Sequence, residues 1–334
     1  MAEVDLKALF ATTKEKISNT LYSGLPDRIP LLNEIRESGN LETVEDGGRS
    51  FSEPSLTGDS LAVGAYVGTD TLDVSQQGGI DKFQYTPAFI YGSVFMAGTE
   101  LAMNAGDQAA VKLLDARIQQ MKESKYNELD AYLCGANNTI PTGRTKNQGN
   151  WLGLQDIVSD TNTSTIFGTG IDRSLAVNAK TRNQVVSTSI ASATAWNTSN
   201  AGRQAMTDLY LASSFGNDRP NLCLMTRTIF SAYNISLQAN ERFVDIQKKA
   251  GGGYPHLVFM VDCKVSYGDN VLAGHFYMIN TKYMKFKVLK NKNFKMSDFL
   301  DAYQQDLQRA LCTTGGQLTT GAPKFNGVYT GGGF

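Results

Sequence analysis

Histidine is scarce in this chain. His256 and His275 are the whole supply, which removes most hydrolytic and metal-centred chemistry at the outset. No H-E-x-x-H pair, G-x-x-x-x-G-K-[ST] phosphate loop or G-x-S-x-G elbow occurs, and Gly168-Thr-Gly170 is too short for a dinucleotide loop. Asp269 and His275 come nearest to an acid–base pair, but no nucleophile accompanies them, and a base needs partners in reach. His275 therefore reads as a structural histidine. The four cysteines, Cys134, Cys223, Cys263 and Cys312, lie far apart with no C-x-x-C spacing. That pattern predicts reduced, buried thiols rather than a disulfide framework or a zinc site. No stretch approaches the roughly 20 apolar residues of a membrane span. The N-terminus carries Glu3 and Asp5 and lacks an apolar run of signal-peptide length, so the expectation is a soluble chain made in a cytoplasm. A charge excess of either sign is also missing: 31 Lys+Arg against 32 Asp+Glu give a net charge of −1. Dedicated DNA-binding proteins carry a basic excess, because phosphate contacts dominate their affinity. The expectation is a non-enzyme with no cofactor and no metal site.

Charged residues are also few, at 19% against roughly 25% in an average soluble protein, while glycine is plentiful at 32 copies. More of the surface is then neutral or apolar, as where subunits meet one another. On composition alone, a turn-rich β domain of the secreted kind is the alternative.

Along the chain, Leu6, Leu9, Phe10 and Ile17 place an amphipathic arm over 3–21, which Pro26 and Pro30 end. Residues 45–82 are bounded by Gly47-Gly48 and Gly78-Gly79, with short alternating pieces such as Leu61, Val63, Ala65 and Val67 between. They read as a long, weak β-hairpin, the alternative being a disordered loop. An isolated hairpin is marginal in water, so this arm is expected to pack on something outside its own domain. Residues 83–97 are aromatic and β-branched and read as one strand. The spacing predicts a single helix over 107–134, with Val111, Leu114, Ile118 and Met121 on one face, drifting to Tyr126, Leu129 and Leu133. Further expected elements are helices over 207–215 and 229–240, a buried strand at 221–226 after Pro220, and strands over 256–265 and 275–289. Residues 297–311 read as helical or extended, and 312–334 as a Gly/Thr-rich tail with a strand near 325–329. The fold class is α+β.

Six lysines cluster with aromatics over 282–295: Lys282, Lys285, Lys287, Lys290, Lys292 and Lys295, among Tyr283, Phe286 and Phe294. Basic residues mixed with aromatics can hold nucleic acid. Lys285-Phe286-Lys287-Val288 alternates with strand period, however, so a charged solvent or intersubunit face over a buried one is favoured. The 45–82 arm is acidic, with Glu45, Asp46, Glu53, Asp59, Asp70, Asp73 and Asp81 against Arg49 and Lys82. The candidate intersubunit residues are Arg49, Glu53, Asp59, Asp70 and Asp73 on the arm, and Lys282, Lys285, Lys287 and Lys290 on a neighbour's basic stripe. Charge complementarity would steer that docking more than strengthen it.

Five short segments occur in an informative order. They are Gly68-Thr-Asp-Thr-Leu-Asp-Val-Ser75 with Gly79-Ile-Asp81 and Tyr85; Gly98-Thr-Glu100 with Asn104-Ala-Gly106; Gly153-Leu-Gln-Asp-Ile157; Gly170-Ile-Asp-Arg-Ser174 with Arg182-Asn-Gln184; and Asp269-Asn-Val-Leu-Ala-Gly-His275 with Tyr277 and Asn280-Thr-Lys-Tyr283. Together with the element order, they make the chain resemble the major capsid proteins of tailed bacteriophages, the Hong Kong 97 fold, over roughly residues 34 to 330. It departs from the family pattern at Thr181, where a tryptophan is common. The resemblance implies an N-terminal arm (1–44), an extended E-loop (45–82), a P-domain (83–140) with spine helix 107–134, an A-domain (141–284) and a C-terminal return to the P-domain (285–334). It implies self-assembly through hexamers and pentamers into an icosahedral head in the virion, made in the host bacterial cytoplasm. Scaffold, portal and decoration proteins would be further partners, and DNA would be enclosed without sequence-specific binding. Some family members crosslink a hairpin lysine to a neighbour; residues 47–81 contain no lysine, so a noncovalent shell is expected. An encapsulin-like cellular compartment is the nearer alternative, and a β-rich glycan-binding protein or hydrolase the more distant one.

Overall fold

The computed structural model describes residues 29–45, 48–60, 62–72, 78–103, 107–135, 151–164, 170–197, 200–237, 257–260 and 262–333. The expected helical arm over 3–21, Asp73, Asn104-Ala-Gly106 and His256 lie outside the described residues. Pro30 opens the first described helix, α1 (Pro30–Glu37), where its missing N–H costs nothing.

The strand β1 (Leu41–Val44) follows, then the hairpin strands β2 (Phe51–Leu56) and β3 (Ile80–Tyr85). They pair antiparallel, with Phe51 opposite Tyr85 and Leu56 opposite Ile80. The ladder stops there. The N–H groups of Thr57 and Gly58 both donate to the Gly79 carbonyl, at 2.8 and 3.3 Å, and residues 62–67 run on without a strand. The alternation read over 61–67 thus overstated the hairpin: among the described residues only its base is laddered. Gly79 takes φ +122° at this point, a conformation that favours glycine.

The strand expected over 83–97 is two strands. Pro87, which has no N–H to give a ladder, separates β3 from β4 (Ala88–Ala97). A short helix, Gly98–Met103, leads to α2, Asp107–Cys134, at the bounds its spacing predicts. At 1.5 Å per residue it runs about 42 Å. Leu114, Ile118, Met121, Tyr126, Leu129 and Leu133 form its buried side. Lys125 is buried among them, its ammonium 3.1 Å from the Cys312 carbonyl and 4.7 Å from the Phe294 ring centroid. Burial pushes its pKa below the usual lysine value.

The second half adds the strand β5 (Gln184–Val186), the helix α3 (Ala201–Ala212), β6 (Leu222–Met225) and α4 (Arg227–Ser236). Both helices begin earlier in the chain than their apolar spacing indicates. Thr226 caps α4, its hydroxyl accepting from the Ile229 N–H at 3.4 Å. The expected strands at 256–265 and 275–289 each divide, giving β7 (Leu257–Phe259), β8 (Cys263–Tyr267), β9 (Phe276–Ile279) and β10 (Met284–Leu289). Then come β11 (Lys295–Met296), β12 (Leu300–Asp301), β13 (Leu307–Thr320) and β14 (Gly327–Tyr329). Residues 297–311, read as helical or extended, hold no helix: β12 and β13 pair antiparallel across a turn at 303–306. The first part of the Gly/Thr-rich "tail", residues 312–320, belongs to the longest described strand, β13. Its glycines serve close approach rather than turning: a Cβ on Gly316 would lie 2.6 Å from the Lys287 carbonyl oxygen, and one on Gly315 would lie 2.6 Å from the Phe89 ring.

Among the described residues the strands form two six-stranded sheets and the β2–β3 ladder. In the first sheet, β1 lies parallel to β10, and β10 antiparallel to β13. One edge of β13 takes β10, β11 and β12 in turn, while β4 runs along the other from Ala88 to Ala97. The spine helix α2 covers one face of this sheet. The second sheet has the order β5-β14-β9-β6-β8-β7. Its central strands are buried on both faces: Leu222, Leu224, Tyr277 and Ile279 face the core shared with α2, and Cys223, Met225, Phe276 and Met278 face a second core with Trp196, α3 and α4. That double burial is why Leu222–Met225 is a continuous apolar run rather than an alternating one.

Candidate assembly interface

Phe51, Glu53 and Ser55 alternate inward along β2 while their neighbours face solvent. The inward set puts one carboxylate, Glu53, against the first sheet with 5% of its surface exposed. Phe286 and Val288 point into the core, so Lys285 and Lys287 stand on the opposite side of β10. Parallel pairing with β1 brings Glu42 opposite Lys287. The result is a four-charge network. Lys287 pairs with Glu53, Lys285 with Glu42 at 2.9 Å, and the cross contacts Lys285–Glu53 and Lys287–Glu42 are 3.9 and 3.8 Å. Thr319 donates its hydroxyl to Glu53 at 3.3 Å. The bond to Glu42, more than offsetting burial, holds the Lys285 ammonium above its usual pKa. A second tie lies nearby, where the buried Tyr85 hydroxyl donates to the Thr320 carbonyl at 2.6 Å. Burial raises the pKa of that phenol far above its ordinary value.

Two further lysines of the stripe, and Lys180 outside it, are also partnered within the chain. Lys282 pairs with Asp218 and Lys290 with Glu45, each at 2.7 Å, and Lys180 pairs with Asp59. The arm and the basic stripe do meet, as their opposite charges predict, but within one chain. Glu53, Lys285, Lys287 and Lys290, expected at a subunit boundary, thus each have a partner within the chain. The reason is topological: β1 beside β10, and the hairpin base over both, bring acid and base together from more than 200 residues apart. Asp70 is a local turn residue, its carboxylate accepting from the Val67 N–H at 2.8 Å. Arg49 is exposed at the entry to β2. Glu42 and Thr319 were not singled out in the sequence, and only the period-two placement of Lys285 and Lys287 hinted at them.

Beyond its clamped base, the hairpin exposes an apolar surface. Val63 is 82% and Ile80 81% exposed, with Tyr66, Val67 and Leu72 also largely open. The first sheet carries a second such area in Phe89, Tyr91 and Phe95 on β4, with Leu311 beside them on β13. A groove of about 350 Å³ runs between β4 and α2, lined by Tyr91 to Phe95, Arg117, Met121 and Lys125 among others.

Elsewhere the polar groups serve packing. His275 Nε2 lies 3.1 Å from the Asp160 carboxylate and Nδ1 2.7 Å from the Ala273 carbonyl. Asp269 turns instead to Arg227 at 2.8 Å, so Asp269 and His275 do not form a pair. All four cysteines are free and buried, and burial pushes Cys263 up to about 12. Among the described residues no group of His, Cys, Asp and Glu could hold a metal ion, and no helix is long and apolar enough to cross a membrane.

No family model matches the sequence, and no curated protein does. Solved structures do resemble it. A chain of the Cyanophage A-1(L) capsid asymmetric unit is 13% identical with a TM-score of 0.62, covering 90% of this chain and 93% of that one. A chain from the capsid of the native GTA particle is 15% identical with a TM-score of 0.56, covering 88% and 89%. A Mycobacterium phage Bobi structure is 9% identical with a TM-score of 0.50, covering 87% and 88%. At these identities the likeness is one of fold. The chain has the α+β Hong Kong 97-type fold of phage capsid proteins.

Proposed function

We propose that this chain is a major capsid protein, a structural subunit rather than a catalyst, whose copies close into the icosahedral head of a tailed phage around its double-stranded DNA. The observation that carries the reading is the hairpin. Its base is clamped to its own sheet, yet past Leu56 and Ile80 it holds out Val63, Tyr66, Val67 and Leu72, which stay exposed among the described residues. An apolar surface of this kind marks a contact with another molecule. The fold shared with capsid chains supports a second copy as that molecule. In this reading 1–44 is the N-arm, 45–82 the E-loop, 83–140 with 285–334 the P-domain and 141–284 the A-domain. Hexamers and pentamers are the building units, with scaffold, portal and decoration proteins as further partners. Most of the basic stripe is neutralised in cis, so the interior would meet DNA without a dedicated binding patch.

Negative-stain imaging and sedimentation of the expressed full chain test the reading. Closed particles or capsomers are expected, and a monomer under all assembly conditions would refute it. Because residues 47–81 lack lysine, assembled particles boiled in denaturant with reductant should run as one band of about 36 kDa. A ladder of multimers would overturn the noncovalent expectation.

A further inference from the structure

We infer that Lys125 and Cys312 form a redox modification site: a hydroperoxide oxidises the Cys312 sulfur, and the Lys125 amine closes on it through a sulfur–nitrogen bond. Both residues belong to one chain, so the inference does not depend on assembly.

Lys125 on α2 has 3% of its surface exposed, and Cys312 on β13 has none. Lys125 Nζ lies 3.3 Å from Cys312 Sγ and 3.1 Å from the Cys312 carbonyl oxygen, with the Phe294 ring centroid at 4.7 Å. A buried lysine is ordinarily paired with an acid, whereas this one faces a thiol, a carbonyl and a ring. Burial lowers the Lys125 pKa and raises that of Cys312, and each group pulls the other back toward its ordinary value. Neutral amine beside neutral thiol, and ammonium beside thiolate, are thereby brought close in energy, with one proton to pass between Nζ and Sγ. Cys134 differs. Its thiol turns to the Asp130 carboxylate at 3.4 Å, a neighbour that opposes a thiolate.

A small oxidant has a way in. Cys312 pairs with Gly92 across the β4–β13 ladder, and directly opposed residues share a face of the sheet. β4 therefore places no side chain beside the sulfur, and a Cβ on Gly92 would lie 2.8 Å from Met121 Sδ. The groove of about 350 Å³ between β4 and α2 is lined there by Gly92, Met121 and Lys125. Lys125 thus stands on the groove wall with Cys312 behind it.

The chemistry closes without a further reactant. The thiol proton passes to the amine, and the thiolate attacks one peroxide oxygen, breaking the O–O bond and releasing hydroxide. The sulfur is oxidised to a sulfenic acid and the peroxide is reduced. Hydroxide takes the extra proton from the ammonium and leaves as water. The freed Nζ lone pair then attacks sulfur, forming S–N, while the sulfenic oxygen departs with an amine proton as a second water. Sulfenic acids are known to condense with nitrogen in this way. The bond joins α2 to β13 across 187 positions of the chain, and a tie over so long a loop restricts the unfolded state.

The test treats the full chain with hydrogen peroxide, denatures it, blocks free thiols and maps tryptic peptides by mass. The expected product joins the peptide holding residue 125 to the one holding residue 312, lighter than their sum by about 2 Da, the two hydrogens lost. Excess thiol should part them. The joined chain should unfold at a higher urea concentration, and thiol should reverse that shift. Lys125→Arg keeps the charge but offers no free amine, so it should stop at the sulfenic acid, trapped on Cys312 by dimedone. Should that variant fail to fold, the wild-type peptide map decides alone. Oxygen added to Cys312 with Lys125 left free would overturn the inference. So would a joined pair that retains an oxygen, since the direct bond is then absent. Sulfoxide at Met121 beside an untouched Cys312 would show that peroxide enters the groove and the pair does not react, which also refutes it.

Discussion

Glu53 is the one acid of the hairpin strands that the fold buries, and its worth depends on Lys287 as much as on itself. Replacing one member of a nearly buried pair leaves the other charge uncompensated, which typically costs about 3 kcal/mol. Glu53→Ala should therefore loosen the hairpin base, seen as faster hydrogen exchange over 51–56 and 80–85. Adding Lys287→Met should recover much of the loss, because the stranded charge is then gone. A double variant no better than the single one would mean the pair does not clamp the base. His275 offers a test in pH. Burial alone would depress its pKa, but the Asp160 carboxylate and the Ala273 carbonyl together outweigh it, and the imidazole ends above its ordinary value near 6.5. A group whose folded pKa is raised stabilises fully below the unfolded pKa and stops doing so as pH climbs through the folded one. The wild-type melting temperature should thus fall relative to that of His275→Gln from about pH 6.5 upward. Parallel curves would show that the contact does not titrate. Of these residue-level features the sequence disclosed the candidates better than the partners. Lys287 was visible as a charge at a period-two position and Glu53 as one of the acids of the arm, but their meeting depends on strands far apart in the chain.

Elements were legible where a single period ran long. The spine helix shows its bounds because apolar residues recur over seven turns and glycines stand near both ends. The failures have a common cause in glycine and threonine. In β13 the sequence Thr-Thr-Gly-Gly-Gln reads as a loop, yet it is a strand whose glycines admit the Lys287 backbone and the Phe89 ring. Local sequence cannot separate a glycine that turns the chain from one that makes room for a neighbour. Gly202 on α3 is a second case and supplies a prediction. A Cβ there would sit 2.1 Å from the Trp196 indole, which Phe276 and Tyr329 hold edge-on at 6.0 and 6.2 Å. With the ring unable to yield, Gly202→Ala should destabilise by about 2–3 kcal/mol, although alanine is the better helix former by about 1 kcal/mol. A lower urea midpoint with unchanged m-value is the expected reading, and a raised midpoint would show that the indole can move.

At the scale of the whole molecule, the hairpin separates folding from assembly. The two cores lie in the sheets and helices, and the ladder from Phe51–Tyr85 to Leu56–Ile80 closes the hairpin base against them. Among the described residues, no apolar side chain past that ladder enters either core. Residues 57–79 can then be exchanged for a two-residue Asn-Gly turn, the connection that suits a strand pair in this register, leaving the pairing of Phe51–Leu56 with Ile80–Tyr85 in place. The shortened chain should keep its circular dichroism and lose little or none of its unfolding free energy. A shorter connection carries a smaller closure-entropy cost, which offsets part of any loss. It should nevertheless fail to close a shell under conditions where the full chain does, as judged by particle counts in negative stain. Unfolding of the shortened chain would place the distal hairpin in the fold after all. Normal shells from a well-folded shortened chain would show that the apolar arm is not what joins one subunit to the next.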